Sequence, residues 1–285
     1  MRPYLVGLVG AGVAPSLTPS MHMAEAKELG LDYVYRTVDL DLLGIAPTEI
    51  GRLVAAAKEL GFDALNVTHP CKQLVIEHLD RLSPEAAALG AVNTVVFEGG
   101  EAVGHNTDTS GFASALTQGL PDADLDDVVL LGAGGAGAAV GDALLRLGAE
   151  HLTVVDLDDA RATTLAHDLA TRHDARVEAG TGDKISTLLA AATGLVHCTP
   201  TGMAAHPGSP VDVDLLDPST WVADIVYRPL ETALVRAARG AGCAVLDGGL
   251  MAVYQAVDAF RLVTGTEPDA ERMNRHFRAL VADAS

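Results

Sequence analysis

Short apolar segments alternate along the chain with longer segments of helical pattern, and this alternation predicts an α/β fold. Residues 64–67 and 128–131 are apolar or nearly so, as expected of strands buried on both faces of a sheet. Residues 47–60 have a helical pattern and stop at Gly61, a residue that commonly follows a helix. A chain of 285 residues with this repeated order is long enough for two α/β domains.

Residues 1–105 are predicted to form the first domain. Its predicted strands are 4–9, 33–38 and 64–67, and a hairpin joins 92–97 to 102–104 through Gly99 and Gly100. Its predicted helices are 20–29, 47–60, 74–79 and 84–89. A helix at 109–118 is expected to lead into the second domain.

Residues 106–245 are predicted to form a second domain of the Rossmann type. Its predicted strands are 128–131, 152–155, 176–178, 195–198, 221–226 and 244–246. Residues 246–285 carry two predicted helices, 250–264 and 269–282, which we expect to pack back on the first domain. A cleft between two such domains is a usual place for a cofactor and a substrate to meet.

A glycine-rich turn after the strand 128–131 indicates a dinucleotide site. Gly132 allows a tight turn, Gly134 lets the backbone approach a pyrophosphate, and Gly137 lets the following helix pack closely on the strand. The phosphates would sit on the N–H groups at the helix N-terminus. The alternative is a glycine turn without a ligand. The residues of this turn predicted to bind the cofactor are Gly132, Ala133, Gly134, Gly135, Ala136 and Gly137.

Asp156 favours NAD over NADP as that cofactor. It follows Gly137 by 19 residues and ends the next predicted strand, where a carboxylate accepts the ribose hydroxyls and repels a 2′-phosphate. Asp158 and Arg161 are further candidates for cofactor contact, although Asp158 can equally be a helix cap. A capping or solvated acid is also the alternative for Asp156.

Composition narrows the possible partners. A net charge of −19 argues against nucleic acid or an anionic membrane as a partner. No apolar run approaches the length of a membrane span, and no basic leader precedes the first predicted strand. The cysteines Cys71, Cys198 and Cys243 are widely spaced, which fits a reducing cytoplasm and no metal or disulfide pattern. The oligomeric state stays open.

Polar residues cluster where predicted strands of the first domain end. Ser16 and Thr18 are spaced to point one way before a helix, which suits a carboxylate, although helix capping is the alternative. Lys72 in a cleft could transfer a proton, with Asp108 holding its ammonium group. The alternatives are a solvated lysine and a helix-capping aspartate. Amide and hydroxyl groups that could bind ring hydroxyls lie in the same clusters: Asn66, Thr68, Asn93 and Asn106.

Later segments add candidates near the cofactor. Thr199 follows one predicted strand of the second domain, Val226 is the last residue of another, and Tyr227 comes next in the chain. Glycines at 248 and 249 begin a predicted helix that carries Met251 and Gln255 one turn apart. Met251 fits packing, including packing against a flat ring.

Together these segments resemble the shikimate dehydrogenase family over nearly the whole chain. The matching segments occur in the family's order: S-L-T-P-S-M-H at 16–22, N-V-T-H-P-C-K at 66–72, G-A-V-N-T at 90–94, G-H-N-T-D at 104–108, C-T-P-T-G-M at 198–203, D-I-V-Y-R-P at 224–229, and Gln255. The resemblance implies that residues 1–105 form the substrate-binding and catalytic domain.

The resemblance also implies roles for individual residues. Lys72 and Asp108 would be the catalytic pair, and Ser16 and Thr18 would hold the substrate carboxylate. The remaining substrate contacts would be made by Asn66, Thr68, Asn93, Asn106, Tyr227 and Gln255. The cofactor contacts outside the glycine turn would be made by Asp156, Asp158, Arg161, Thr199, Val226, Gly248 and Met251.

Departures from the common family pattern favour its NAD-dependent quinate/shikimate branch. Biosynthetic members carry an N-R-T-like segment for the 2′-phosphate of NADP, whereas this chain has Asp156-Leu157-Asp158. Thr18 and His69 also resemble the quinate/shikimate branch. The expected activity is reversible oxidation of shikimate or quinate with NAD. The rivals are an NADP-dependent biosynthetic enzyme, an enzyme for an amino-substituted ring acid, and a non-catalytic NAD-binding sensor.

Overall fold

Parallel strands connected by helices make up most of both halves of the protein. The computed structural model describes residues 3–283, and these divide into two compact units. The first unit comprises residues 3–107 with 255–283, and the second is Asp108–Tyr254. The predicted α/β class with two domains is confirmed. Residues 255–283 group with the first unit, as expected for the C-terminal helices, whereas residues 246–254 group with the second.

The first unit is built on a mixed sheet. Its strands are β1 (Tyr4–Gly10), β2 (Tyr33–Asp39), β3 (Ala64–Val67), β4 (Arg81–Leu82), β5 (Thr94–Glu98) and β6 (Glu101–His105). Its N-terminal helices are α1 (Thr18–Glu28), α2 (Leu40–Leu43), α3 (Ile50–Glu59) and α4 (Pro84–Leu89), with 3₁₀ turns at Pro47–Glu49 and Ile76–His78.

The strand order β2-β1-β3-β5-β6-β4 brings the polar clusters of the first unit together at one end of its central strands. β1 is parallel to β2 and to β3, and Val9 of β1 is paired with Val67 of β3. β5 is antiparallel to β3, so Asn66 near the end of β3 lies opposite Thr94 at the start of β5. Residues that follow β1 and β3 therefore lie close to residues that precede β5.

The second unit is a parallel, doubly wound sheet. Its strands are β7 (Asp127–Leu131), β8 (His151–Val155), β9 (Arg176–Gly180), β10 (Gly194–His197), β11 (Trp221–Asp224) and β12 (Val245–Leu246). Its helices are α5 (Asp108–Gly119), α6 (Gly135–Arg146), α7 (Asp159–His173), α8 (Ile185–Ala191) and α9 (Ala233–Ala241), with 3₁₀ turns at Gly182–Lys184 and Val213–Leu215. α10 (Gly248–Thr264) includes the boundary between the units, and α11 (Ala270–Asp283) belongs to the first.

The order β12-β11-β10-β7-β8-β9 places the topological switch point between β7 and β10. Chain order runs outward from β7 through β8 to β9, and then from β10 through β11 to β12 on the other side. Val128, Val129 and Leu130 of β7 are fully buried, which explains the apolar run seen in the sequence. Ligands of such sheets bind at the carboxyl ends of the strands beside the switch point.

A buried carboxylate fixes the C-terminal helix α11 on α1. Glu25 of α1 is 2% exposed, and its Oε1 accepts a hydrogen bond from the backbone N–H of Asp269 (2.7 Å). Arg272 of α11 donates to both Glu25 oxygens, at 2.7 Å from Nε and 2.5 Å from Nη2. The pair is bidentate and charge-assisted, which is a strong form of hydrogen bonding.

Several local predictions were wrong or incomplete. Residues 74–79 do not form an α-helix, because only Ile76–His78 adopt a 3₁₀ turn there. The sequence pattern predicts a helix over 138–147 after the glycine turn, whereas the helix begins at Gly135, three residues earlier. Within residues 3–283, no helix has the length and apolar character needed to cross a membrane.

Candidate active site

Ser16 and Thr18 lie together at the start of α1. The Ser16 hydroxyl donates to Thr18 Oγ1 (3.2 Å), and the Thr18 N–H donates to Ser16 Oγ (3.3 Å). Both residues are half-buried. The N-cap position is held by Leu17, which gives the helix no side-chain cap. The two hydroxyls thus form a pair beside a helix N-terminus, a setting that suits a carboxylate.

Asp39, which sequence analysis missed, holds the loop that leads to Ser16. Its Oδ1 accepts from the N–H of Gly12 (3.1 Å), and its Oδ2 accepts from the N–H of Ala14 (2.8 Å). It also caps α2 through the N–H of Asp41 (3.1 Å). Burial raises the pKa of the Asp39 carboxyl, but these backbone donors outweigh burial and hold the pKa below its ordinary value.

We expect Asp39→Asn to lower the free energy of unfolding by about 1–3 kcal/mol at pH 7, because an amide nitrogen cannot accept from these N–H groups. The folded-state pKa of Asp39 is depressed, so its stabilisation is present above the unfolded pKa of about 4 and is lost as pH falls through the folded pKa. Thermal unfolding from pH 7 to pH 2 checks this. The difference between wild type and variant should shrink in acid, and the exposed Asp168 supplies the control variant Asp168→Asn.

The turn after β3 brings Thr68 next to the end of β1 and Lys72 next to the predicted cluster at 90–94. The N–H of Thr68 donates to the carbonyl of Val9 at the end of β1 (2.9 Å). The carbonyl of Lys72 accepts from the N–H of Val92 (2.8 Å), immediately before Asn93. Lys72 is half-buried. The backbone of the first unit therefore places Lys72 beside the segment that carries Asn93.

Asn106 and Asp108 follow β6. The Asn106 Nδ2 donates to the carbonyl of Ala91 (3.0 Å), which fixes the amide in a buried position. Asp108 is the first residue of α5 and is 6% exposed. Lys72 belongs to the first unit and Asp108 to the second, so their pairing stays a prediction.

The glycine turn after β7 has the geometry of a dinucleotide cradle. A Cβ on Gly137 would lie 1.9 Å from the carbonyl oxygen of Gly132, so α6 approaches the turn as closely as glycine alone allows. Gly132 has a φ of +106°, a conformation that favours glycine. A Cβ on Gly135 would meet no atom within 4 Å, and no described side chain caps α6 at Gly134. The N–H groups of this helix start can therefore take the phosphates of a dinucleotide.

Asp156 is tied to the glycine turn. Its Oδ2 accepts from the N–H of Ala133 (2.7 Å), and its Oδ1 accepts from the N–H of Asp158 (3.0 Å). Burial raises the pKa of the Asp156 carboxyl, but these donors and the guanidinium of Arg161 hold it below its ordinary value. Asp158 caps α7 by accepting from Ala160 and Arg161, which is the capping role considered from sequence.

A buried polar chain supports Thr199 beside the same turn. His197 Nδ1 lies 3.0 Å from Asp224 Oδ1, and His197 Nε2 lies 2.6 Å from the Thr199 hydroxyl. Because a carboxylate oxygen accepts, Nδ1 donates to it, and Nε2 is hydrogen-bonded to the Thr199 hydroxyl. Asp224 also accepts from the hydroxyl of Thr232 (2.7 Å). Sequence analysis identified Thr199 but not this support from His197 and Asp224.

The other predicted residues lie near the ends of β11 and in α10. Val226 is buried, and a Cβ on Gly248 would lie 2.5 Å from its carbonyl oxygen. Tyr227 is half-buried in the second unit. Met251 is buried in the core of the second unit, and Gln255 is the first residue of α10 that belongs to the first unit.

The three cysteines of the chain are buried thiols. Cys71, Cys198 and Cys243 are free and buried, and burial raises the pKa of each thiol. Buried thiols of raised pKa are poor nucleophiles. Across residues 3–283, no cluster of His, Cys, Asp or Glu has the arrangement of a metal site.

The chain is similar over nearly its whole length to shikimate and quinate/shikimate dehydrogenases. Residues 8–95 match the family described as the shikimate dehydrogenase substrate binding domain. The chain is 61% identical over 284 residues to shikimate dehydrogenase (NADP(+)) of Streptomyces avermitilis, covering 99% of this chain and 97% of the relative. It is 48% identical over 278 residues to quinate/shikimate dehydrogenase (NAD(+)) of Corynebacterium efficiens, covering 97% and 98%.

A solved structure shows the same relationship. Quinate dehydrogenase from Corynebacterium glutamicum, in complex with NAD, superimposes with a TM-score of 0.91 at 47% identity. The match covers 97% of this chain and 99% of that one. The glycine turn of the second unit and the polar strand ends of the first unit thus occur in a chain that matches these dehydrogenases over 97–99% of its length. The protein belongs to the shikimate dehydrogenase family of oxidoreductases, which use a dinucleotide cofactor.

Proposed function

We propose that the protein is an NAD-dependent dehydrogenase that reversibly oxidises a secondary ring alcohol of shikimate and quinate, giving 3-dehydroshikimate and 3-dehydroquinate. The choice of NAD as cofactor rests on the two residues that directly follow β8. Asp156 stands there as an anion of depressed pKa, followed by the fully exposed Leu157. A carboxylate at this place accepts ribose hydroxyls and repels a 2′-phosphate, and Leu157 offers that phosphate no charge.

The proposed division of labour assigns the substrate to the first unit. Ser16 and Thr18 bind the carboxylate through their paired hydroxyls. Asn66, Asn93 and Asn106 contact ring hydroxyls through amides that the fold has already oriented. Thr68, Tyr227 and Gln255 complete the proposed substrate set.

Proton transfer is assigned to Lys72 with Asp108. The Lys72 amine takes the proton of the reacting hydroxyl during oxidation and returns it during reduction. Asp108 holds the resulting ammonium by charge-assisted hydrogen bonding. A bound dinucleotide would supply the hydride acceptor for the oxidation, and the protein contributes orientation and proton transfer.

The proposed cofactor set lies in the second unit. The N–H groups at the start of α6 bind the pyrophosphate, and Asp156 binds the adenosine ribose. Thr199, Val226, Gly248 and Met251 are assigned to the nicotinamide end. We place the reaction in the cytoplasm, supported by three free thiols that fit a reducing compartment.

The test is an initial-rate assay of quinate and shikimate, each with NAD and with NADP. Turnover of both acids with NAD and little with NADP supports the proposal. Activity on shikimate with NADP alone overturns it in favour of the biosynthetic enzyme. Folded protein that is inactive in all four assays would instead favour an amino-substituted ring acid or a non-catalytic NAD sensor.

NADP is the second candidate cofactor because Arg161 lies close to the same place. Its Nη2 is 3.9 Å from Asp156 Oδ2, and its side chain is 55% exposed, which leaves it able to turn towards a 2′-phosphate. The relative at 61% identity also carries NADP in its name. The carboxylates of Asp156 and Asp158 around Arg161 count against this alternative.

We expect Asp156→Ala to lower the ratio of kcat/KM for NAD to that for NADP by about 10- to 100-fold, the range for losing a hydrogen bond to a charged group. The ratio is the informative quantity, because the variant also loses the bond to the Ala133 N–H and so loosens the turn for both cofactors. Asp159→Ala is the matched control, since it removes a neighbouring exposed charge. An unchanged ratio in Asp156→Ala would place cofactor selection elsewhere.

A further inference from the structure

A continuous chain of buried hydrogen bonds links residues of β2, β3 and β5 with Thr107, which follows β6. The Tyr35 hydroxyl on β2 donates to Asn66 Oδ1 (2.5 Å), and Asn66 Nδ2 donates to the Thr94 hydroxyl (2.9 Å). Thr94 donates to Asn93 Oδ1 (3.0 Å), and Asn93 Nδ2 donates to the Thr107 hydroxyl (2.9 Å). These five residues are between 0% and 7% exposed. The donors run from Tyr35 to Asn93, and at the far end the Thr107 hydroxyl and the Thr107 N–H both donate back to Asn93 Oδ1 (3.3 and 3.0 Å).

Backbone partners determine how both amides in this chain are oriented. Asn66 Nδ2 faces the carbonyl oxygen of Asn93 (3.4 Å), which can only accept, so the nitrogen must be on that side. Asn93 Oδ1 faces the N–H of Thr107 (3.0 Å), which can only donate, so the oxygen must be on that side. With its nitrogen directed to Thr94 and Asn93, Asn66 has its oxygen directed to Tyr35.

We propose that Tyr35 is a positioning residue for substrate binding, which acts by fixing Asn66 as a hydrogen-bond acceptor for a ring hydroxyl. This inference rests on the proposed function, in which Asn66 contacts the substrate. A carbonyl oxygen has two lone pairs, so Asn66 Oδ1 can accept from Tyr35 and from a substrate hydroxyl together. The Tyr35 hydroxyl donates to Asn66 Oδ1, and adjacent hydrogen bonds in such a buried network strengthen one another.

The hydroxyl of Tyr35 can be removed without removing the ring. Tyr35 is buried against His22, with ring centroids 5.1 Å apart in an edge-to-face arrangement, so its ring has a packing role of its own. Tyr35→Phe keeps that ring and removes only the hydroxyl. Tyr33 provides a matched control, because its hydroxyl lies 3.2 Å from His22 Nδ1 and outside the chain to Asn66.

The experiment measures shikimate affinity by titration calorimetry of full-length protein saturated with NADH, which cannot oxidise shikimate. Tyr35→Phe should weaken binding about tenfold, the size of one hydrogen bond, and Tyr33→Phe by less than about twofold. Initial rates should show the same increase in KM with kcat within about threefold of wild type, because the lost interaction is one of binding.

A double-mutant cycle separates positioning from general destabilisation. If Tyr35 acts through Asn66, Tyr35→Phe should have no further effect on shikimate affinity in an Asn66→Ala background. Equal losses in both backgrounds, or equal losses from Tyr35→Phe and Tyr33→Phe, would overturn the role of Tyr35. If Asn66→Ala does not fold, the comparison of Tyr35→Phe with Tyr33→Phe is sufficient to test the role of Tyr35. Wild-type protein that binds neither shikimate nor quinate would overturn the proposed function itself.

Discussion

Replacing Lys72 with alanine should lower kcat for shikimate oxidation by at least about 100-fold, within the range for loss of a general acid/base group. The carbonyl of Lys72 is bonded to the N–H of Val92, so its backbone is held beside Asn93 whatever its side chain does. The variant should therefore keep its fold and bind shikimate with little change. Initial rates at saturating shikimate and NAD measure the effect.

Lys58→Ala is the matched control for this experiment. Lys58 is exposed and bonds to Asp80 on the surface (3.1 Å), and such pairs contribute little to stability. Near-normal kcat in Lys72→Ala would remove Lys72 from the mechanism. If Lys72 and Asp108 act as a pair, the double variant Lys72→Ala with Asp108→Ala should be scarcely slower than either single variant.

The local rules that predicted the fold also explain where prediction failed. Apolar runs such as β7 are buried on both faces, and the short run together with the glycine turn that follows it predicts a strand. Residues 74–79 mix apolar residues with Glu77 and His78 in a pattern that predicts a helix, yet they form only the turn Ile76–His78. The six-residue helix α4 is capped by Ser83 and ends at Gly90, whereas residues 76–78 have no side-chain cap. Their backbone bonds instead close short turns, such as Ile76 N–H to Gln73 carbonyl.

Residues expected to touch a ligand were easier to predict than residues that hold them in place. Lys72 and Asn93 lie in short motifs, where several polar residues occur close together in the sequence, and such motifs can be recognised without the structure. Asp39 binds the N–H groups of a loop 25–27 residues earlier, and Tyr35 bonds to Asn66 31 residues later. Such contacts depend on strand order, which determines that β2 and β3 both flank β1. No local pattern in the sequence specifies that pairing.

Asp156 shows how one residue can be predicted for one role and found in a second. Its place at the end of β8 predicted a ribose contact. The structure adds a hydrogen bond from the Ala133 N–H to Asp156 Oδ2 across 23 residues, which holds the glycine turn. Because each carboxylate oxygen has further accepting capacity, both roles are compatible. Substitutions at Asp156 therefore affect the shape of the turn as well as the choice of cofactor.

Gly137→Ala should be among the most damaging changes in the second unit. The added Cβ would lie 1.9 Å from the carbonyl oxygen of Gly132, and that backbone atom cannot move aside as a flexible side chain could. Relieving the clash requires α6 to shift away from β7, an overpacking cost of about 2–3 kcal/mol. The melting temperature should fall by roughly 5–10 °C, which calorimetry would detect.

The same shift should weaken dinucleotide binding by more than about tenfold, because the N–H groups at the start of α6 would move away from the phosphates. Fluorescence titration with NADH measures this without turnover. Gly240→Ala is the control, since Gly240 also lies in a helix and a Cβ there meets no atom within 4 Å. That variant should match wild type in melting temperature and NADH affinity. Wild-type affinity in Gly137→Ala would mean that the close approach of α6 to the turn does not determine cofactor binding.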